Sequence, residues 1–181
     1  MFKRSLFVVM FALCMASQVD AQSMSLGPQF GYQKAKDADE GKLMYGAAIR
    51  VKLLPALGGE ASIHYRQEEY ADGVITVRSW PVMATGLIYF FPMLYGAIGF
   101  GWYNTMLDYS DALNAVDLDD ETKQKVGWHF GAGVELPLAT GARLTGDIRY
   151  VFLDYDFEDI PNREDVSSDF YVITVGFLFD L

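Results

Sequence analysis

Glu60, Ser62, His64, Arg66 and Glu68 recur at every second position, so an extended chain carries all five on one face. Serine, histidine and carboxylate are the residue types of a hydrolytic relay. Alternate residues of one strand stand roughly 7 Å apart, however, too far for a tight relay unless other strands contribute. The apolar neighbours Ile63 and Tyr65 also turn this face inward. The stripe therefore reads as a structural one with no catalytic residue. His129, with Gly127 and Gly131 two places to either side, reads the same way.

Hard-cation binding is the second chemistry within reach. Asp108, Asp111, Asp117, Asp119, Asp120 and Glu121 form one acidic group, and Asp154, Asp156, Glu158, Asp159, Glu164 and Asp165 another. Carboxylates at such spacing can converge on Ca²⁺ or Mg²⁺. The glycine-containing calcium-loop pattern is missing, so both groups read as solvated, self-repelling loops with no assigned metal site. No zinc-type Cys/His cluster and no phosphate-binding loop occurs. No cofactor is expected.

The elements that would position these residues follow a period of two. Val126, Trp128, Phe130, Ala132, Val134 and Leu136 alternate with Gly127, His129, Gly131, Gly133 and Glu135, which puts the large apolar groups on one face of a strand. Leu43 to Leu53, Ala61 to Glu68 and Arg143 to Phe152 alternate likewise. With less regular segments added, strands are predicted over about Met24–Gln33, Lys42–Leu53, Gly59–Glu69, Val74–Phe90, Met93–Tyr103, Lys125–Leu136, Ala142–Tyr155 and Asp169–Leu181. The number is even. Leu54–Gly58, the Phe91-Pro92-Met93 corner and Pro137–Gly141 are short connections, whereas Lys34–Gly41, Asn104–Gln124 and Asp156–Ser168 are longer and charged; only Tyr70–Gly73 is short on that side. Short turns at one end and long loops at the other are the layout of a membrane barrel. Several strands reach the length of about 9–11 residues that crosses hydrocarbon at a tilt.

A spanning helix over Ser79–Leu107, which holds no charged residue, is the competing reading. Pro81 and Pro92 would interrupt it, four glycines weaken it, and its bulk of Tyr, Phe and Trp favours strands.

Residues 1–21 read as a cleaved secretory signal: Lys3 and Arg4, an apolar stretch from Ser5 to Met15, and a small-residue cut site ending at Ala21. Residues 22–181 then form one domain without cysteine, since Cys14 is the only one. The chain carries a formal charge of −10, and removing the signal takes away more base than acid. Such acidity argues against nucleic-acid binding.

Alternation alone leaves open which face is inside. A soluble barrel would bury the apolar face around a ligand, whereas a membrane barrel turns it to lipid. The polar face carries Arg50, Lys52, Arg66, Arg143 and Arg149 against Glu60, Glu68, Glu135 and Asp147. This near-balanced set, together with His64, suits a closed lumen network better than a solvent face sharing the acidity of the chain. The opposite face collects Tyr45, Tyr65, Trp102, Trp128, Tyr150 and Tyr171, as interfacial girdles do. The membrane reading is adopted. Eight strands enclose a lumen just wide enough for side chains, so a water-filled pore is disfavoured. Inward Gly99, Gly101, Gly127, Gly131 and Gly133 are expected to make room for neighbouring arginines. The polar parity slips between Arg78 and Thr85, which predicts a β-bulge near Trp80-Pro81 that absorbs one residue and resets the faces. Pro28 predicts incomplete pairing near the start of the first strand.

Three segments carry a family resemblance: Gly96-Ala97-Ile98-Gly99-Phe100-Gly101-Trp102-Tyr103, the run Gly127 to Pro137, and the closing run Tyr171 to Leu181. They resemble the small outer-membrane barrels of the OmpA and OmpX type, and more loosely OmpW. The resemblance implies an all-β, eight-stranded antiparallel up-and-down transmembrane barrel in the bacterial outer membrane. Tyr171, Ile173, Val175, Phe177, Phe179 and Leu181 are similar to the C-terminal signal read by the barrel-assembly machinery, although members usually end in Phe rather than Leu. The implied role is non-catalytic, supporting the envelope or contacting outside proteins through the loops, whose carboxylates are what would attract divalent cations. Membrane lipid and lipopolysaccharide are the implied surroundings, and a monomer the implied state. An OmpW-like conduit for small hydrophobic molecules is the alternative, and a lipid A hydrolase a third.

Overall fold

The computed structural model describes residues 23–36, 40–70, 75–109, 121–139, 141–153 and 169–181. The signal segment 1–21 and the acidic residues from Asp111 to Asp120 and from Asp154 to Asp165 lie outside them. Among the described residues nine strands follow one another: β1 (Ser23–Ala35), β2 (Lys42–Leu54), β3 (Leu57–Tyr70), β4 (Ile75–Ser79), β5 (Val82–Phe91), β6 (Leu94–Tyr109), β7 (Glu121–Ala139), β8 (Ala142–Phe152) and β9 (Phe170–Asp180). All pairings are antiparallel. β3 and β6 each pair with both β4 and β5. β1 pairs with β2 on one side and β9 on the other, which closes the sheet into a ring and leaves no free edge. β4 and β5 occupy one place in that ring, so the fold is the eight-stave barrel of the sequence reading with its fourth stave divided. The stretch Ser79–Leu107 is strand, and no helix among the described residues is long and apolar enough to cross a membrane.

Following partners around the ring exposes its stagger. From His64 the route through β2, β1, β9 and β8 passes Gly46, Gln29, Gly176 and Thr145 and arrives on β7 at Glu135. The opposite route, through Pro81 and Tyr103, arrives at Lys125. Closing a tilted sheet demands such an offset. His129, between the two arrival points, lies close to the level of His64.

The faces sort by alternation. On β9 Phe170, Val172, Thr174, Gly176 and Leu178 are buried, while Tyr171, Ile173, Val175, Phe177 and Phe179 are exposed. The sorting inverts that of a water-soluble protein: Phe90 is 69% exposed and Leu43 79%, whereas Arg50 and Arg149 are 1% exposed. Large apolar residues out and charges in is the arrangement of a barrel solvated by lipid. Tyr45, Tyr65, Trp102, Trp128, Tyr150 and Tyr171 all stand on the outward face, where Tyr45 meets Tyr65 and Tyr150 meets Tyr171.

The structure corrects two sequence expectations and bears out a third. No bulge forms at Trp80-Pro81. The register of β4 on β3, Arg66 to Ser79, continues into that of β5 on β3, Ile63 to Val82, without a lost residue. The ladder lapses for two residues and resumes, because Pro81 has no N–H to give. The Pro81 carbonyl still accepts from the His64 amide, the Trp80 amide donates to the Asn104 carbonyl, and the Asn104 side-chain amide donates to the Trp80 carbonyl. The parity slip has another cause: Arg78 lies outward beside Gln67 near the long-loop end, where polar outward residues are tolerated. The connection expected over Asn104–Gln124 is also shorter, since β6 and β7 stay paired up to Leu107 and Glu121, so Asp108 and Glu121 belong to strands. Pro28 pairs with Ala47 of β2, while Gly27 and Pro28 fall in a gap of the β1–β9 ladder.

Candidate functional site in the barrel lumen

The residues with chemical capacity converge inside the ring, because position parity aims every second side chain of each strand at the axis. Glu60 of β3 is the centre. Its Oε2 accepts from Arg50 Nη2 at 2.5 Å and Nε at 3.1 Å, and its Oε1 from Arg149 Nη2 at 2.6 Å. Arg50 reaches on to Glu135 through Nη1 at 2.9 Å. Arg149 reaches Asp147 through Nε at 2.8 Å and Thr85 through Nη1 at 3.0 Å. The Tyr95 hydroxyl accepts from Arg50 and donates to Asp147, and the Tyr89 hydroxyl donates to Glu135. Side chains of β2, β3, β5, β6, β7 and β8 meet in this lattice. Buried charges are tolerable only when paired and fully hydrogen-bonded, and here each guanidinium spends its donor fork on several acceptors.

Toward the short-turn end, Lys52 and Arg143 both approach Glu135 Oε1, at 3.6 and 3.1 Å, and Arg143 also pairs with Asp180. Lys52 lies over the Tyr89 ring at 4.2 Å. Toward the long-loop end the lumen turns apolar: Met44, Tyr103, Val151, Leu153, Phe170 and Val172 form a buried cluster. Above it Arg66 pairs with Glu68 at 3.1 Å. The lumen is thus layered as polar rim, apolar plug, charged lattice and basic lower mouth.

His64 and His129 sit where plug meets lattice, 1% and 0% exposed. His129 Nε2 lies 2.9 Å from the Thr85 hydroxyl. Both ring nitrogens of His64 and the Ser62 hydroxyl have no hydrogen-bond partner among the described residues. Ser62 and His64 therefore form no relay with each other, although they share a face with Glu60.

The ten charged and histidine residues singled out from the sequence all lie on described strands. Arg50, Lys52, Glu60, Glu135, Arg143, Asp147 and Arg149 join one network, while Arg66 and Glu68 stand apart at the rim and His64 between. Sequence reasoning missed Tyr89, Tyr95 and Thr85, which complete the lattice. Their odd numbering, shared by every inward position of β5 and β6, was the available sign. The glycine expectation needs amendment as well. A Cβ on Gly131 would strike the Ile148 carbonyl and crowd Arg149, as expected, but one on Gly133 would strike Tyr95 and Asp147, and one on Gly99 the Ala84 carbonyl and His129. The space serves tyrosine and histidine as much as arginine.

Comparisons with known proteins agree with this architecture. Residues 5–179 match the family model of the outer membrane protein beta-barrel domain. No curated protein matches the chain. Among solved structures, the attachment invasion locus protein Ail of Yersinia pestis is 14% identical with a TM-score of 0.55, over 88% of this chain and 97% of Ail. OprG of Pseudomonas aeruginosa is 12% identical with a TM-score of 0.55, over 90% and 97%. A major outer membrane protein of Thermus thermophilus is 11% identical with a TM-score of 0.62, over 88% and 98%. At such identities the likeness is one of fold, which these proteins share with the closed ring and inverted faces described above. A family match along nearly the whole sequence, on a barrel that is greasy outside and charged within, makes this chain a member of the outer-membrane β-barrel family.

Proposed function

We propose that the protein is a non-catalytic outer-membrane barrel with a filled lumen, which supports the envelope and meets outside partners through its acidic loops. The observation that carries this reading is the lattice around Glu60, where two buried arginines are held between three carboxylates. A lumen so occupied has no room for a continuous water column. Residues 1–21 serve as the export signal, and Tyr171, Ile173, Val175, Phe177, Phe179 and Leu181 as the segment the assembly machinery reads. The Ail structure was solved with sucrose octasulfate, a heparin analogue and a polyanion. The carboxylates of residues 111–120 and 154–165 favour the opposite partner here, a cationic protein surface or one bridged by divalent ions. The test joins planar-bilayer conductance with heat-modifiable gel migration: a compact band that shifts on boiling, with no steady conductance, is expected. A stable open channel from that compact band would overturn the filled-lumen reading.

A conduit for small hydrophobic molecules is the second reading, favoured by the apolar cluster from Met44 to Val172 under the outer rim. Vesicles bearing the barrel would then accumulate a small hydrocarbon faster than barrel-free vesicles. Equal rates remove this reading.

A further inference from the structure

The outward surface is not lined evenly with large side chains. The register sets Gly59 of β3 beside Gly86 of β5 and Ala61 beside Ala84, and Gly86 beside Ile98 of β6. Gly59, Ala84 and Gly86 floor a groove of about 640 Å³ whose wall is Ile98, Phe100 and Trp128. The three wall residues are about half exposed to the surroundings of the barrel. Backbone packing does not demand glycine on this floor: a Cβ on Gly59 would have no neighbour nearer than 4.0 Å, and one on Gly86 none nearer than 3.6 Å. At inward Gly131, by contrast, a Cβ would strike the Ile148 carbonyl. The two outward glycines therefore leave space on the side that faces lipid.

The position of the groove says which lipid. Gly59 lies two residues beyond Leu57, where β3 leaves its short turn, and Gly86, its partner in the ladder, lies five residues before Phe91 and the short turn that follows. Short turns mark the periplasmic end, so the groove opens in the periplasmic leaflet and climbs toward Trp128. That leaflet supplies phospholipid, not lipopolysaccharide. One backbone thickness behind the floor stand Glu60 and Thr85 of the lattice. A void here would forfeit dispersion contacts, and water in it would stand beside the buried Glu60–Arg149 pair.

We infer that the groove holds one acyl chain of a periplasmic-leaflet phospholipid as a resident, slowly exchanging ligand. It completes the wall where the chain itself supplies no side chains and keeps the surroundings of the lattice dry.

The experiment is native mass spectrometry of the barrel released from nanodiscs of phosphatidylethanolamine and phosphatidylglycerol. The wild type keeps one phospholipid. The double variant Gly59→Leu/Gly86→Leu, whose side chains enter open space, lowers the bound-to-free ratio about tenfold, equivalent to about 1.4 kcal/mol, with heat-modifiable migration unchanged. Ala84→Leu fills the same floor and gives the same loss, which covers the case in which the double variant misfolds. A wild type that retains no lipid, or variants that retain as much as the wild type, overturns the inference. So does a wild-type dimer that the variants dissolve, since a second copy would then occupy the groove. Preferential retention of added lipopolysaccharide overturns the leaflet assignment.

Discussion

Glu60 concentrates the electrostatics of the protein in one side chain. It accepts from two buried guanidiniums, so its loss would leave both under-compensated in a low-dielectric interior. Glu60→Ala is expected to cost about 3–5 kcal/mol, the penalty of removing one partner from a buried pair. The urea midpoint in lipid vesicles measures it, and a cost below about 1 kcal/mol would mean that water reaches the lumen. Replacing Arg149 as well should add less than its separate effect, since the two share one network. His64 predicts the reverse behaviour. With no partner on either ring nitrogen among the described residues, it carries a desolvation cost without recompense, so His64→Leu should be neutral or stabilising by up to about 1–3 kcal/mol. A marked destabilisation would show that the imidazole holds a ligand or water the protein depends on. These roles were unevenly legible. Charged residues at alternate positions announced themselves, whereas Tyr89 and Tyr95 were hidden in an aromatic run where the ring, and not the hydroxyl, dominates the pattern. The apolar plug was legible by parity but not by polarity: Met44, Val151 and Val172 point inward although polarity alone would send them out.

Strands were easier to read than their interruptions. β2, β7 and β9 alternate so regularly that register follows from parity alone, and a slip by one residue would reverse every face. The faces make a direct prediction. Ile98→Arg places a charge on the outward face below the middle of β6 and should destabilise by about 2–4 kcal/mol in vesicles, whereas Gln67→Arg, outward near the long-loop end, should cost only about 0–1 kcal/mol. Equal effects at both sites would mean that the greasy side does not face lipid. The Trp80-Pro81 break could not be placed from sequence. A proline and a parity slip together suggest an inserted residue, yet the structure keeps the register and patches the gap with the Asn104 side chain. Gln124 donates in turn to Asn104 Oδ1 at 2.7 Å. Asn104→Ala removes that patch and should cost about 1 kcal/mol, seen as a lower urea midpoint with unchanged gel migration.

At the scale of the molecule, layering decides what can pass. An apolar plug stacked on a charged lattice opposes both ions and apolar solutes, the first in the plug and the second in the lattice. Opening a path therefore needs both layers weakened. Met44→Ala alone should leave the barrel closed, whereas Glu60→Ala/Arg149→Ala with Met44→Ala should introduce conductance in planar bilayers. Conductance from the single Met44 variant would place the barrier in the plug alone. The sequence disclosed the lattice but not this stacking, which depends on the stagger that carries His64 to the level of His129.

The closure of the ring carries one more consequence. The Leu181 amide donates to the Met24 carbonyl at 2.9 Å, so the first and last staves meet end to end at one rim. A circular permutant that links 181 to 23 through a few glycines and opens the chain between residues 154 and 168 keeps every ladder of the described residues while making β8 the terminal strand. It should refold in vesicles as readily as the parent, since the contacts are the same. Inside a cell it should fail to assemble if the machinery reads β9 as a free chain end, and succeed if any outward-greasy last strand suffices.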